Sequence, residues 1–180
     1  MYNKLVQCVE SIRKITDFQP EVGIVLGSGL GDYANDIKVI VTIRYEDING
    51  FPVSTVKGHS GKFVFGYVGM VPVVIMQGRV HYYEGYQMSE VVLPIRLMGM
   101  LGIKKLLLTN AAGGMNTSYK AGDFMMITDH ISTFVPSPLI GRNIEELGTR
   151  FPDMSEVYSK RMCEVIRKCA SECSRNEYSM

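Results

Sequence analysis

Residues 71–76, Val-Pro-Val-Val-Ile-Met, run directly into 77–85, Gln-Gly-Arg-Val-His-Tyr-Tyr-Glu-Gly. The first part is a short apolar run that predicts a β-strand. The second part places a permanent cation, an imidazole, a phenol and a carboxylate within six residues. Arg79 can donate hydrogen bonds to two oxygens of one phosphate. If the backbone stays extended, the side chains of Arg79 and His81 point to the same side of the chain, because they are two residues apart. The segment indicates a small-anion site, and a surface loop with ordinary salt bridges remains the alternative.

The neighbouring sequence extends this strand into a sheet. Phe63 to Val68 precedes it across Gly69-Met70, which predicts two strands joined by a tight turn. Further strands are predicted at Val22 to Leu26, at alternating apolar positions from Ile37 to Ile43, at Leu106 to Thr109 as a buried strand, and at Asp123 to Ile131.

Helical periodicity fills much of the remaining sequence. Apolar residues recur at intervals of three and four from Leu5 to Ile15, which predicts an amphipathic helix. Met88 to Leu101 has a helical pattern interrupted by Pro94, so a kinked or late-starting helix is expected. A final helix is predicted from Ser155 to about Ala170. The order of elements predicts an α/β fold, a mixed central β-sheet flanked by helices, in a single domain over residues 1–180.

Composition excludes several classes of function. The chain has 180 residues, of which 46% are hydrophobic and 21% charged, and this balance is typical of a soluble globular domain. Its formal net charge of +1 provides no excess of positive charge that would bind nucleic acid or an anionic membrane surface. No stretch approaches the roughly 18 apolar residues that span a bilayer, and the N-terminus lacks a signal-peptide core. We therefore expect a cytoplasmic protein with no membrane partner.

The four cysteines predict neither a disulfide framework nor a metal site. A chain of this size can be stabilised by burial, so reduced thiols are expected. The spacing of Cys163, Cys169 and Cys173 matches no common zinc pattern. His130 lies within an apolar run beside Asp129 and is predicted to be a satisfied structural histidine.

Three further segments are rich in small residues. Gly27-Ser28-Gly29-Leu30-Gly31 follows a predicted strand, where backbone N–H groups and the Ser28 hydroxyl can approach an anion closely. A plain turn and a dinucleotide-binding loop are the alternatives, although the dinucleotide fingerprint places its third glycine one position later. Gly58-His59-Ser60-Gly61 presents an imidazole on a loop. Asn110-Ala111-Ala112-Gly113-Gly114 ends a strand with small residues, which leaves room for a ligand or forms a flexible turn.

These motifs together resemble the trimeric class of purine nucleoside phosphorylases. The resemblance runs from about Ile12 to about Arg167. It rests on six motifs in register, at residues 25–31, 58–61, 77–86, 109–114, 122–123 with 129–131, and 150–155. The related methylthioadenosine phosphorylases share the architecture but differ around the histidine and arginine loops, and they are the second family considered.

The resemblance implies phosphate-dependent cleavage of inosine- or guanosine-type nucleosides to free purine and ribose 1-phosphate. Inorganic phosphate would be a co-substrate, and no cofactor or metal is implied. By this resemblance the phosphate would be held by Ser28, His59, Arg79, His81 and the backbone at Ala111.

The resemblance also implies roles for the nucleoside side of the site. Tyr83 would lie against the ribose, while Ala112 and Gly113 would border the base. Glu84 would orient His81 and take part in the phosphate network, which makes these two the expected catalytic pair. Phe151 would reach into the site of a neighbouring subunit, so a homotrimer is expected.

The sequence departs from the family after about Lys168. Family members are considerably longer, and the segment absent here normally carries groups that grip the purine edge, a further phosphate hydroxyl and the residue that assists the leaving group. We therefore expect a C-terminally truncated form of the fold, and one hypothesis is that phosphorylase activity survives in it. The alternative is a catalytically inactive module that binds phosphate or a partner, in which the phosphate half of the site persists and purine recognition is lost.

Overall fold

The structure is a computed structural model that describes residues 1–53 and 61–177. The strands are β1 (Val22–Leu26), β2 (Lys38–Arg44), β3 (Lys62–Val68), β4 (Val71–Gln77) and β5 (Lys105–Leu108), and the helices are α1 (Tyr2–Arg13), α2 (Met88–Val91), α3 (Leu93–Met100) and α4 (Lys160–Glu177). The five strands form one sheet in the order β2-β3-β4-β1-β5. The predicted mixed α/β fold is confirmed.

The chain divides into two compact units. The first, which we call the sheet unit, comprises residues 1–113 and 137–147. The second, which we call the α4 unit, comprises residues 114–136 and the chain from residue 148 onward. A single domain over residues 1–180 remains a prediction.

The sheet combines parallel and antiparallel pairing around its central strands. β1 pairs in parallel with β4 on one side and with β5 on the other. β3 pairs antiparallel with β4, and β2 pairs antiparallel with β3. The tight β3–β4 connection turns at Gly69, whose φ of 59° is easily adopted without a side chain. The predicted hairpin of these two strands is therefore confirmed.

The apolar runs of the central strands are explained by burial on both faces of the sheet. Val74 and Met76 of β4 pack in the larger cluster, to which α1 contributes Leu5 and Ile12, and α3 contributes Leu97. The alternate β4 positions 73 and 75 belong to a second cluster with residues of β1 and β3. Side chains of a strand alternate between the two faces, so burial of both faces requires a continuous apolar sequence. Each fully buried large apolar side chain contributes about 1.5–3 kcal/mol to this core.

The predicted kink at Pro94 is present as a break between two helices. α2 ends at Val91 and α3 begins at Leu93. Pro94 lies in the first turn of α3. A proline is tolerated there because the first N–H groups of a helix have no intrahelical acceptor.

One strand prediction was wrong in its burial and another in its secondary structure. The predicted strand at Leu106 to Thr109 is present as β5, but it is not buried, because Leu106 and Leu107 are only half-buried and the Leu108 side chain is 54% exposed. It is an edge strand, which pairs only with β1 within the described part of the chain. Residues 123–131 form no strand, and Phe124 and Ile131 are 91% and 94% exposed. Their apolar pattern lacks a hydrogen-bonded neighbouring strand among the described residues, and a strand needs one.

The predicted start of the last helix was also wrong. Ser155 does not cap α4; instead its N–H and Oγ donate to the Asp153 carboxylate at 2.9 and 2.6 Å, and these bonds lower the pKa of Asp153. The serine that precedes α4 is Ser159, whose Oγ accepts the Met162 N–H at 3.3 Å. The helix is thus capped by a serine, as the general preference for N-terminal caps requires, but by one four residues after the predicted serine.

Among residues 1–53 and 61–177, no helix has the length and apolar character needed to cross a bilayer.

Candidate anion-binding site

Strand direction gathers the sequence-predicted segments at one edge of the sheet. β1, β4 and β5 are parallel, so their carboxyl ends meet at what we call the carboxyl edge. The segments 27–31, 78–85 and 109–113 follow these three strands. β3 begins at the same edge, because Lys62 pairs with Gln77. Ligands of open α/β sheets bind at this edge.

The backbones of the first and third segments approach each other closely at Gly27. A Cβ added to Gly27 would lie 2.6 Å from Asn110 Cα and 2.8 Å from Thr109 O. The Gly27 N–H donates to Thr109 Oγ1 at 2.8 Å. Only glycine fits here, so the glycine predicted as part of an anion loop also permits the strand ends to meet. Ser28 and Ala111 are both exposed beyond this contact.

Arg79 brings the permanent positive charge to the carboxyl edge. It is half-buried, and its Nη1 donates to Thr109 O in a long contact of 3.5 Å. A long contact to a neutral carbonyl is weak, so the guanidinium can exchange it for a stronger charge-assisted bond to an anion. Arg79 thus lies at the end of β5, where its contact is to a neutral carbonyl rather than to a carboxylate.

His81 and Glu84 enclose a short turn and are joined by two hydrogen bonds that run in opposite directions. The His81 N–H donates to Glu84 Oε1 at 2.7 Å, and the Glu84 N–H donates back to His81 O at 3.1 Å. The turn ends at Gly85, whose φ is 91°. The His81 ring stacks on the Tyr83 ring, with centroids 4.8 Å apart and an interplanar angle of 12°. The carboxylate thus fixes the backbone at the histidine, and the phenol fixes the ring.

Two of the remaining predicted residues belong to the carboxyl edge. Ala112 and Gly113 are exposed in the segment that follows β5. His59 lies outside the described residues. Phe151 belongs to the α4 unit, where its side chain is 85% exposed and the Arg150 guanidinium lies 5.8 Å from the ring centroid. His130 is satisfied, as predicted, because its Nδ1 is hydrogen-bonded to the Tyr158 hydroxyl, but the residue is exposed.

Sequence reasoning missed three residues that organise the edge. Thr109 bonds to the end of β1, and Gln77 Nε2 donates to Gly31 O at 2.9 Å. Tyr45 donates its hydroxyl hydrogen to Gly78 O at 2.8 Å. Thr109 and Gln77 could have been found as polar residues at the ends of apolar strands. The role of Tyr45 gives no local signal, because its acceptor is 33 positions away.

Tyr45 fixes the start of the arginine segment from inside the core. Its side chain is 1% exposed, and its ring lies 4.7 Å from that of Phe51 and 5.0 Å from that of Phe63. The phenolate would be poorly solvated there, so burial raises the pKa of Tyr45 well above its ordinary value. The hydroxyl therefore remains a hydrogen-bond donor to Gly78 at any physiological pH.

The buried phenol predicts a loss of stability in alkali. The folded pKa is raised, so above pH ~10 the folded state binds more protons than the unfolded state and the free energy of unfolding falls as pH rises. Relative to a Tyr45→Phe variant, the free energy of unfolding of the wild-type chain should fall by an additional ~1.4 kcal/mol per pH unit above pH ~10. Urea unfolding of both proteins from pH ~8 to ~11.5 measures the difference. Parallel pH profiles would contradict the burial argument.

The fold and the carboxyl edge define an α/β protein in which the predicted site segments follow parallel strands. A family model described as the phosphorylase superfamily matches residues 21–179. The chain belongs to the phosphorylase superfamily.

Within that family the chain is similar to purine nucleoside phosphorylases. It is 48% identical to purine nucleoside phosphorylase 1 of Geobacillus stearothermophilus over 92% of this chain and 61% of the relative. It is 46% identical to purine nucleoside phosphorylase 1 of Bacillus subtilis over 96% of this chain and 64% of the relative. Isoform 2 of the Schistosoma mansoni enzyme, solved with cytosine and ribose-1-phosphate, is 41% identical with a TM-score of 0.88, over 96% of this chain and 62% of that chain. The chain thus spans about three-fifths of these relatives' length.

Proposed function

We propose that the carboxyl edge binds inorganic phosphate for the phosphorolysis of purine nucleosides of the inosine and guanosine type. The products are free purine and ribose 1-phosphate, so the activity is that of a pentosyltransferase. The observation that carries this proposal is the position of Arg79 beside the Gly27 segment and the end of β5. Support comes from the similarity to proteins named purine nucleoside phosphorylase and to a structure solved with ribose-1-phosphate.

The phosphate half of the site is assigned to five residues. Arg79 supplies a fixed charge and a fork that matches two phosphate oxygens. Ser28 contributes a hydroxyl, and Ala111 contributes its backbone N–H. His81 donates to or accepts from phosphate according to the protonation state of each. His59, which lies outside the described residues, is proposed as a further ligand on the basis of the family resemblance.

The reaction requires the phosphate to be held in position and its charge to be balanced, and it needs little covalent catalysis by the protein. Phosphate attacks the anomeric carbon as the bond to the purine breaks, and positive charge develops on the ribose. Glu84 holds the turn that carries His81, so the pair is assigned the role of fixing the nucleophile. Because the phosphate is held in place before the attack, the protein lowers the entropic part of the barrier.

The nucleoside is assigned to the surface beside the phosphate. Tyr83 is 76% exposed and stacked on His81, which leaves its other face for the ribose. Ala112 and Gly113 are small and exposed, so the base can approach their backbone. A Cβ added to Gly113 would meet nothing within 4 Å, in keeping with open space at this position.

We also propose an oligomeric state and a cellular location. The protein is a homotrimer in which the exposed Phe151 completes the site of a neighbouring subunit. It acts in the cytoplasm and needs phosphate as co-substrate but no cofactor or metal. These statements rest on the family resemblance.

The experiment is the release of hypoxanthine from inosine, followed with and without inorganic phosphate. The proposal predicts release that requires phosphate and yields ribose 1-phosphate in equal amount. Phosphate binding without any release would instead support a phosphate-binding module without catalysis. Release at the same rate in the absence of phosphate would indicate hydrolysis and would contradict the proposal.

A further inference from the structure

We propose that Thr109 is a positioning residue that holds the Gly27 segment, the end of β5 and Arg79 in the arrangement that binds phosphate. The proposal rests on the function proposed above. Neither the sequence patterns nor the family resemblance assigns this residue a role. Thr109 is the first residue after β5 and is half-buried.

Both hydrogen-bonding capacities of the Thr109 hydroxyl are used. Its Oγ1 donates to Val25 O at 2.9 Å and accepts the Gly27 N–H at 2.8 Å. A hydroxyl has one donated hydrogen and can accept in addition, so serine or threonine can make this bridge and an aliphatic residue cannot. The side chain therefore ties Thr109 to two positions at the end of β1, more than 80 residues away in sequence.

The Thr109 backbone extends the same connection. Its N–H donates to Val25 O at 3.0 Å, which continues the β1–β5 pairing one residue past the strand. Its carbonyl accepts from Arg79 Nη1 at 3.5 Å. Thr109, in the segment that follows β5, thus contacts the segments that follow the other two parallel strands.

The hydroxyl bridge matters for phosphate because the proposed ligands lie immediately beyond it. Ser28 follows Gly27, and Ala111 lies two positions after Thr109. If the Gly27 N–H loses its acceptor, a buried donor is left unsatisfied unless the segment shifts towards water. That shift moves the Gly27 segment relative to Arg79, and small displacements of positioned groups weaken binding strongly.

The test compares three variants by calorimetric titration with inorganic phosphate and by thermal unfolding. Thr109→Val removes the hydroxyl at nearly constant shape and should raise the phosphate Kd about tenfold. Thr109→Ser keeps the hydroxyl and should stay within about twofold of wild type. Thr42→Val, at an exposed position of β2, is the matched control and should leave the Kd unchanged.

The outcomes separate positioning from plain structural support. If Thr109→Val lowers the Tm but leaves the phosphate Kd of the folded protein unchanged, the positioning role is overturned. If Thr109→Ser weakens binding as much as Thr109→Val, the hydroxyl is not responsible and the proposal fails. If the wild-type chain binds no phosphate, the proposed function fails together with this inference.

A wild-type measurement keeps the proposal testable if Thr109→Val does not fold. Phosphate at about ten times its Kd should slow hydrogen exchange of the Gly27 amide about tenfold, since opening the bridge would disrupt the binding geometry. Unchanged exchange at Gly27 under saturating phosphate would overturn the proposal.

Discussion

Replacement of Arg79 by alanine should raise the Kd for inorganic phosphate at least ~100-fold, which corresponds to about 3 kcal/mol of binding free energy. The guanidinium is the permanent charge that the arginine segment brings to the carboxyl edge, and its present partner is a neutral carbonyl at 3.5 Å. Charge-assisted, two-pronged bonds to phosphate are the strongest contacts that the site can offer. Calorimetric titration of the variant beside the wild-type chain measures the loss.

Two control variants sharpen this result. Lys105→Ala removes one positive charge at the amino end of β5, where Lys105 Nζ pairs with Glu21 at 2.6 Å, and it should leave phosphate binding unchanged. Arg79→Lys keeps the charge without the fork, so its Kd should lie between those of wild type and Arg79→Ala. Equal loss in Lys105→Ala and Arg79→Ala would mean that net charge, rather than the site, governs binding.

Replacement of Gly27 by alanine should lower the free energy of unfolding by about 3 kcal/mol. The added Cβ would lie 2.6 Å from Asn110 Cα and 2.8 Å from Thr109 O, both of which are backbone atoms. Backbone cannot turn away as a flexible side chain can, so the ends of β1 and β5 must separate. Urea unfolding measures the change.

Gly99→Ala is the matched control for this effect. Gly99 lies in α3, and an added Cβ would meet nothing within 4 Å. Alanine is the better helix former, so Gly99→Ala should be neutral or stabilising by up to about 1 kcal/mol. A Gly27→Ala variant as stable as Gly99→Ala would contradict the close approach of the two strand ends.

The fold was predictable because its signals are local. β1 and β4 are buried on both faces, so their sequences are continuous apolar runs that identify strands directly. The break between α2 and α3 follows from the missing N–H of Pro94, which cannot bond to the preceding turn. The error at residues 123–131 has the opposite cause. The pattern resembles that of a strand, but strand formation depends on a neighbour that no local sequence reveals.

The site was predictable only in part, for a related reason. Arg79, His81 and Glu84 are close in sequence, so the turn that unites them leaves a local signature. The parallel order of β4, β1 and β5, which brings Gly27 beside Arg79, is a property of the whole sheet. Thr109 and Tyr45 act through hydrogen bonds that span 82 and 33 positions. Such contacts become visible only once the strands are placed.

The most direct measurement is a map of phosphate binding by backbone amide chemical shifts. Inorganic phosphate is titrated into isotopically labelled wild-type protein. We expect saturable shifts at Ser28, Arg79, His81 and Ala111, and little change at Lys38 and Tyr67, which pair at the opposite end of the β2–β3 ladder. Shifts centred on that opposite end, or none at the four carboxyl-edge residues under phosphate excess, would contradict the proposed site.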